Sequence, residues 1–115
     1  MNVYDQAHEL ARSLRESDAY KEFMRLKDLA YGDKTNAALL DEYKKLQFRL
    51  QAKMASGEAL PDDDMTRLNR IATLLQLNQD AGAYLLAEFN YQKLLADVFR
   101  ILADVAGISP DMFAR

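Results

Sequence analysis

At 115 residues the chain is long enough for one domain and too short for two ordinary ones. Half of it is hydrophobic and 29% is charged, a globular composition and not a disordered one, and the absence of cysteine excludes disulfides, thiolate catalysis and cysteine-ligated zinc. A net charge of −3 argues against bare nucleic acid as the main partner.

Four glycines and two prolines leave little turn chemistry, so the elements must be few and long. Val3, Ala7, Leu10 and Leu14, widened by Tyr4 and Ala11, predict an amphipathic helix over about 2–16. Ser17 or Asp18 caps a second helix carrying Tyr20, Phe23, Met24 and Ala30 on one side, which ends at Gly32-Asp33. A third helix begins near Thr35 or Asn36, either of which can cap it. Its seam is Leu39, Tyr43, Leu46, Leu50 and Met54, and Gly57 suits the left-handed position that ends it.

After the turn GEALP, the run PDDD opens a fourth helix, with Asp62 as cap and Asp63 and Asp64 favoured by the helix dipole. Met65, Leu68, Ala72 and Leu75 line one face, with Ile71 and Leu74 beside it. The stretch from Asn78 to Gly82 interrupts or bends the path, with Asp80 as a second cap, and a last helix runs from about 81 to 106 and stops at Gly107. In the tail, Ser109 caps a short turn with Pro110 at its first position. No useful strand alternation is present. Short connections between long helices predict an all-α antiparallel hairpin or bundle of about five helices, the third and last being long, in a single domain with residues 109–115 as a short tail.

No signal pattern opens the chain, and no apolar run reaches the roughly 20 residues a membrane span needs, so a cytoplasmic protein away from membranes is expected.

Chemistry-bearing motifs are scarce. HELAR at residues 8–12 lacks the second histidine of a zinc peptidase helix, Arg12 standing in its place, and His8 is the only histidine. Asp62, Asp63 and Asp64 are consecutive, so on a helix they point about 100° apart and do not converge on one ion. The serines have only His8 as a conceivable base and no glycine-rich elbow presents them. No catalytic, metal or cofactor residue is expected, and no enzyme. Lys45, Arg49 and Lys53 form a basic strip at i,i+4 spacing, with Lys44 as an optional extension, within a segment (34–56) holding five basic and two acidic residues. The strip is a solvated face, or else a contact for an acidic partner or RNA, and three to five cations give RNA only weak, salt-sensitive binding. The tyrosines and phenylalanines mostly repeat the apolar faces and read as core.

The segments VYDQAHELARSLRESDAYKEFMRLK, LLDEYKKLQFRLQAKMASGEALPDDD and YLLAEFNYQKLLADVFRILAD, in this order and spacing, resemble the YlbF/YheA family of small helical bacterial proteins across about residues 3–106. Gly57-Glu58 followed by an acidic helix start looks closer to the YheA branch. The resemblance implies an oligomer-forming cytoplasmic helical protein without catalytic residues. Some relatives are accessory subunits of a complex that steers the endoribonuclease RNase Y and affects competence, sporulation and biofilm formation, which implies family members or RNA-processing proteins as partners. The chain departs from the pattern after Ala87-Glu88, where Phe89-Asn90-Tyr91 replaces a more polar segment.

The last helix also points to assembly on its own residues. Lys93, Asp97, Arg100 and Asp104 share one strip only about 60° wide, expected to be paired internally, and nearly everything else is apolar. A small monomer needs an apolar face of little over about 100° on such a helix. Leu95, Val98, Phe99, Leu102 and Val105 are therefore the expected interface of a homodimer or higher even oligomer, the alternative being a compact monomeric bundle with the last helix at its centre.

Overall fold

Five α-helices make up nearly all of residues 2–107, the part of the chain that this computed structural model describes. They are α1 (Val3–Glu16), α2 (Asp18–Tyr31), α3 (Lys34–Ala55), α4 (Asp62–Leu77) and α5 (Gln79–Ala106). No strand occurs among the described residues, so the all-α expectation holds, and α3 and α5 are the longest helices at 22 and 28 residues. The tail with the Ser109–Pro110 turn lies outside the described residues.

The helix ends follow from local hydrogen bonding, in places one or two residues from where the sequence suggested. The Asn2 side chain accepts from the Asp5 N–H at 2.9 Å, and Ser17 Oγ accepts from the Tyr20 N–H at 3.2 Å, so α1 and α2 both carry side-chain caps. The cap of α3 is Asp33, whose carboxylate accepts from the Asn36 N–H at 2.9 Å, and neither Thr35 nor Asn36 fills that position. Asp33 lies just ahead of the apolar seam and supplies a charged acceptor; Thr35 and Asn36 already stand inside the helix. At α4 the N-cap position belongs to Pro61, with φ −54° and ψ 146°, and Asp62 is the first helical residue with no capping bond. Asp62, Asp63 and Asp64 all sit in the first turn, where their charge complements the dipole.

Gly57 ends α3 as expected. Its φ is +77°, the Glu58 N–H reaches the Lys53 carbonyl at 2.8 Å, and the Gly57 N–H reaches the Met54 carbonyl at 3.1 Å, the paired bonds of a Schellman stop.

The chain divides into two compact units. In the unit Leu26–Tyr84, α3 and α4 run antiparallel, as the pairings show. Glu42 meets Arg67 at 3.0 Å and, further along α3, Arg49 approaches Asp64 at 4.0 Å. Leu40, Leu46, Leu75 and Tyr84 are fully buried here, each large side chain contributing about 1.5–3 kcal/mol through burial. Leu40 is a core position absent from the expected seam, whereas Met54, assigned to that seam, is exposed near the helix end.

Asn78 organises the α4–α5 joint inside this unit. A single extended residue (φ −91°, ψ 125°), it stops α4 with its N–H on the Leu75 carbonyl and caps α5 with its side-chain oxygen on the Ala81 N–H at 3.0 Å. The same oxygen accepts at 3.1 Å from the side-chain amide of Asn36, a buried polar residue. The interruption is thus one residue long, and Asn78 is the cap that had been assigned to Asp80.

The other unit combines residues up to Arg25 with those from Leu85 onward. Tyr91 of α5 meets α2 through an edge contact with Tyr20 at 5.3 Å and a stacked one with Phe23 at 5.4 Å. Arg25 donates to both carboxylate oxygens of Glu22, at 2.6 and 3.1 Å, and that hydrogen bonding holds the Glu22 carboxyl below its ordinary range. Arg12 pairs with a single carboxylate oxygen of Glu9 on α1. Among the described residues of this unit the only buried apolar side chains are Ala87 and Ala103, and α1 buries none.

Candidate functional site

Two exposed helix faces carry the chemistry of the surface, one apolar and one basic. The apolar face begins with Leu95, Val98, Phe99, Leu102 and Val105, which at about 100° per residue occupy one stripe of α5. Leu95 and Val98 are half-buried, Leu102 is 52% exposed and Val105 is 89% exposed, so the stripe opens progressively toward the helix end. Ile101, beside it, is 65% exposed, and on α1 Val3 and Tyr4 are exposed as well. The charged strip of α5 is less tied than expected. Arg100 donates to Asp97 at 3.1 Å, while Lys93 and Asp104 form no ion pair among the described residues. An exposed i,i+4 pair is worth only about 0.3–0.5 kcal/mol, too little to hold long side chains against solvent.

The basic face lies on α3. Asp41, Lys44, Lys45, Phe48 and Arg49 line an open groove on its outer side. Phe48 is 72% exposed, an exception to the mostly buried placement expected of the aromatic residues. Two residues correspond to about 200° of helix rotation, so Phe48 points away from both Leu46 and Leu50 in the seam. That arithmetic was available from the sequence alone. Lys44 is held inward: its Nζ donates to the Tyr84 hydroxyl at 2.5 Å and sits 4.9 Å from the centre of that ring, an arrangement combining a hydrogen bond with a cation–π contact. Tyr31 packs edge-on against the same ring at 5.7 Å.

The three cations of the expected strip differ in what they face. Lys53 pairs with Glu58 at 3.2 Å across the helix stop, and Arg49 approaches Asp64 at 4.0 Å. Lys45 is exposed and reaches no acid among the described residues, Asp41 one turn before it included. His8 is exposed on α1. No group of three His, Cys, Asp or Glu among the described residues could hold a metal ion, and no described helix is long and apolar enough to cross a membrane.

Fold and surface together define a small all-helical protein that presents one apolar and one basic-aromatic face. The chain belongs to the family described as "Control of competence regulator ComK, YlbF/YmcA", which it matches over residues 3–105. Relatives include a UPF0342 protein of Caldicellulosiruptor bescii, 37% identical and covering 90% of this chain and 87% of its own length. A UPF0342 protein of Halothermothrix orenii is 33% identical, over 89% of this chain and 86% of its own. Among solved structures, a protein of unknown function (DUF964) from Bacillus stearothermophilus shares the fold at a TM-score of 0.76. It is 20% identical and covers 91% of this chain and 92% of its own.

Proposed function

We propose that this chain is a non-enzymatic regulatory scaffold of the YheA branch that assembles as a homodimer or higher even oligomer through the α5 stripe Leu95, Val98, Phe99, Leu102 and Val105. Its place is that of an accessory factor in RNase Y-linked mRNA processing affecting competence, sporulation or biofilm formation, with family members or RNA-processing proteins as partners in the cytoplasm. The family description, control of a competence regulator, supports a regulatory role. One observation carries the assembly: the unit containing most of α5 buries no described side chain larger than alanine, yet exposes Ile101, Leu102 and Val105. Apolar surface removed from water contributes about 25 cal/mol per Å², and a second copy supplies the cover that one chain lacks.

Direct RNA binding through Lys45, Arg49 and Lys53 has less support, because Arg49 and Lys53 already face Asp64 and Glu58. Light scattering on wild type and on a Val98→Glu, Leu102→Glu double variant tests the scaffold reading. The expected result is a wild-type mass that is a multiple of 13.1 kDa and falls to the monomer in a variant that remains helical. A monomeric wild type overturns it.

A further inference from the structure

We propose that the outer face of α3 docks an acidic amphipathic helix of a partner protein. Phe48 enters between the apolar side chains of that helix, and Lys45 and Arg49 pair with its carboxylates. The inference stands on α3 alone and does not need the α5 assembly.

Three features of the face support it. First, Phe48 is a large aromatic side chain left 72% exposed on a well-formed helix, and aromatic side chains that fill a partner's pocket dominate binding energy at interfaces. In a helix such a side chain leans toward the N-terminal turn, which here carries Lys44 and Lys45. Second, the path beyond it is smooth: Ala52, one turn further on, and Ala55 are both exposed and small, leaving room for a second backbone to lie close. Third, the charge is complementary to an acid. Residues 34–56 hold five basic and two acidic side chains on a chain whose net charge is −3, so the local sign is opposite to that of the whole.

Acidic helix and single-stranded RNA make different demands on this face. RNA needs a track of cations, since its affinity grows with each phosphate neutralised, but Asp41 lines the groove and Lys53 is taken up by Glu58 at 3.2 Å, which shortens the track to Lys45 and Arg49, the latter still 60% exposed at 4.0 Å from Asp64. An amphipathic helix needs one anchor pocket and a pair of carboxylates a turn apart, the spacing at which side chains share a helix face. Lys45 and Arg49 are themselves one turn apart, with Phe48 between them in the sequence.

The test is selection of a phage-displayed library of helical peptides on the full-length protein, followed by fluorescence anisotropy of a labelled winning peptide and of a labelled oligouridylate. The expected winners are net negative with an apolar stripe. Their binding weakens with salt and falls at least about tenfold in Phe48→Ser and in the Lys45→Glu, Arg49→Glu variant. Both variants change exposed positions, and circular dichroism verifies that they remain helical. Three outcomes overturn the proposal: winners that are not acidic or that bind Phe48→Ser equally well; oligouridylate binding that depends on Phe48 and Arg49 while no peptide binds; or a lower solution mass for Phe48→Ser, which gives the face to a second copy.

Discussion

Gly57 is the residue at which backbone conformation alone decides the outcome. Its φ of +77° lies in the left-handed region, and a Cβ added there would meet nothing within 4 Å. Substitution by alanine therefore brings no clash with neighbours, only the conformational cost of about 1–2 kcal/mol for an L-residue in that region. Urea unfolding of Gly57→Ala is expected to show a lower midpoint, by that loss of stability divided by the unchanged slope. This residue was legible in the sequence because a glycine after a long apolar seam has few other uses. Phe48 stands apart from the aromatics expected mostly in the core, because its angular position on α3 lies opposite Leu46 and Leu50. Lys44 is a third kind of case. Its inward turn to Tyr84, 40 positions away, depends on packing that no local pattern encodes.

At the scale of elements, the five helices and their order were legible because their apolar spacings are strong and their breakers few. The caps were read less well. Asp33, Thr35 and Asn36 are all good capping types within four positions, as are Asn78 and Asp80, and only the hydrogen-bonded outcome chooses between them. Asn78 serves two helix ends and Asn36 at once. Asn78→Ala removes the α5 cap, worth about 0.5–2 kcal/mol, and leaves the buried Asn36 amide without that acceptor, a further loss of about 1–3 kcal/mol. The expected destabilisation is about 1.5–5 kcal/mol, measured by chemical denaturation. Asn78→Asp, which keeps the acceptor oxygen, is expected to lose less.

For the whole molecule, the two units differ in how much of their stability comes from their own packing. The unit Leu26–Tyr84 buries leucines and Tyr84 of its own, whereas the other has only alanines fully covered among its described residues. If the second unit borrows its cover from another copy, folding and association are linked by mass action. The melting temperature of the wild type is then expected to rise with protein concentration, and that of the Val98→Glu, Leu102→Glu variant to stay constant. The near-complete apolar circumference of α5 was visible in the sequence, whereas the division into two units was not. The identity of the covering chain was not visible, because a stripe that suits a second copy also suits the core of one chain. The two connections of the α3–α4–α5 stretch also differ in how they tolerate evolutionary change in length. Between Glu58 and the buried Leu60 an extra residue lengthens an exposed turn, and loop entropy grows only slowly with length. At Asn78 one insertion or deletion would part the oxygen from both Ala81 and Asn36, so descendants of this sequence are free to vary in length at the first connection and held to one residue at the second.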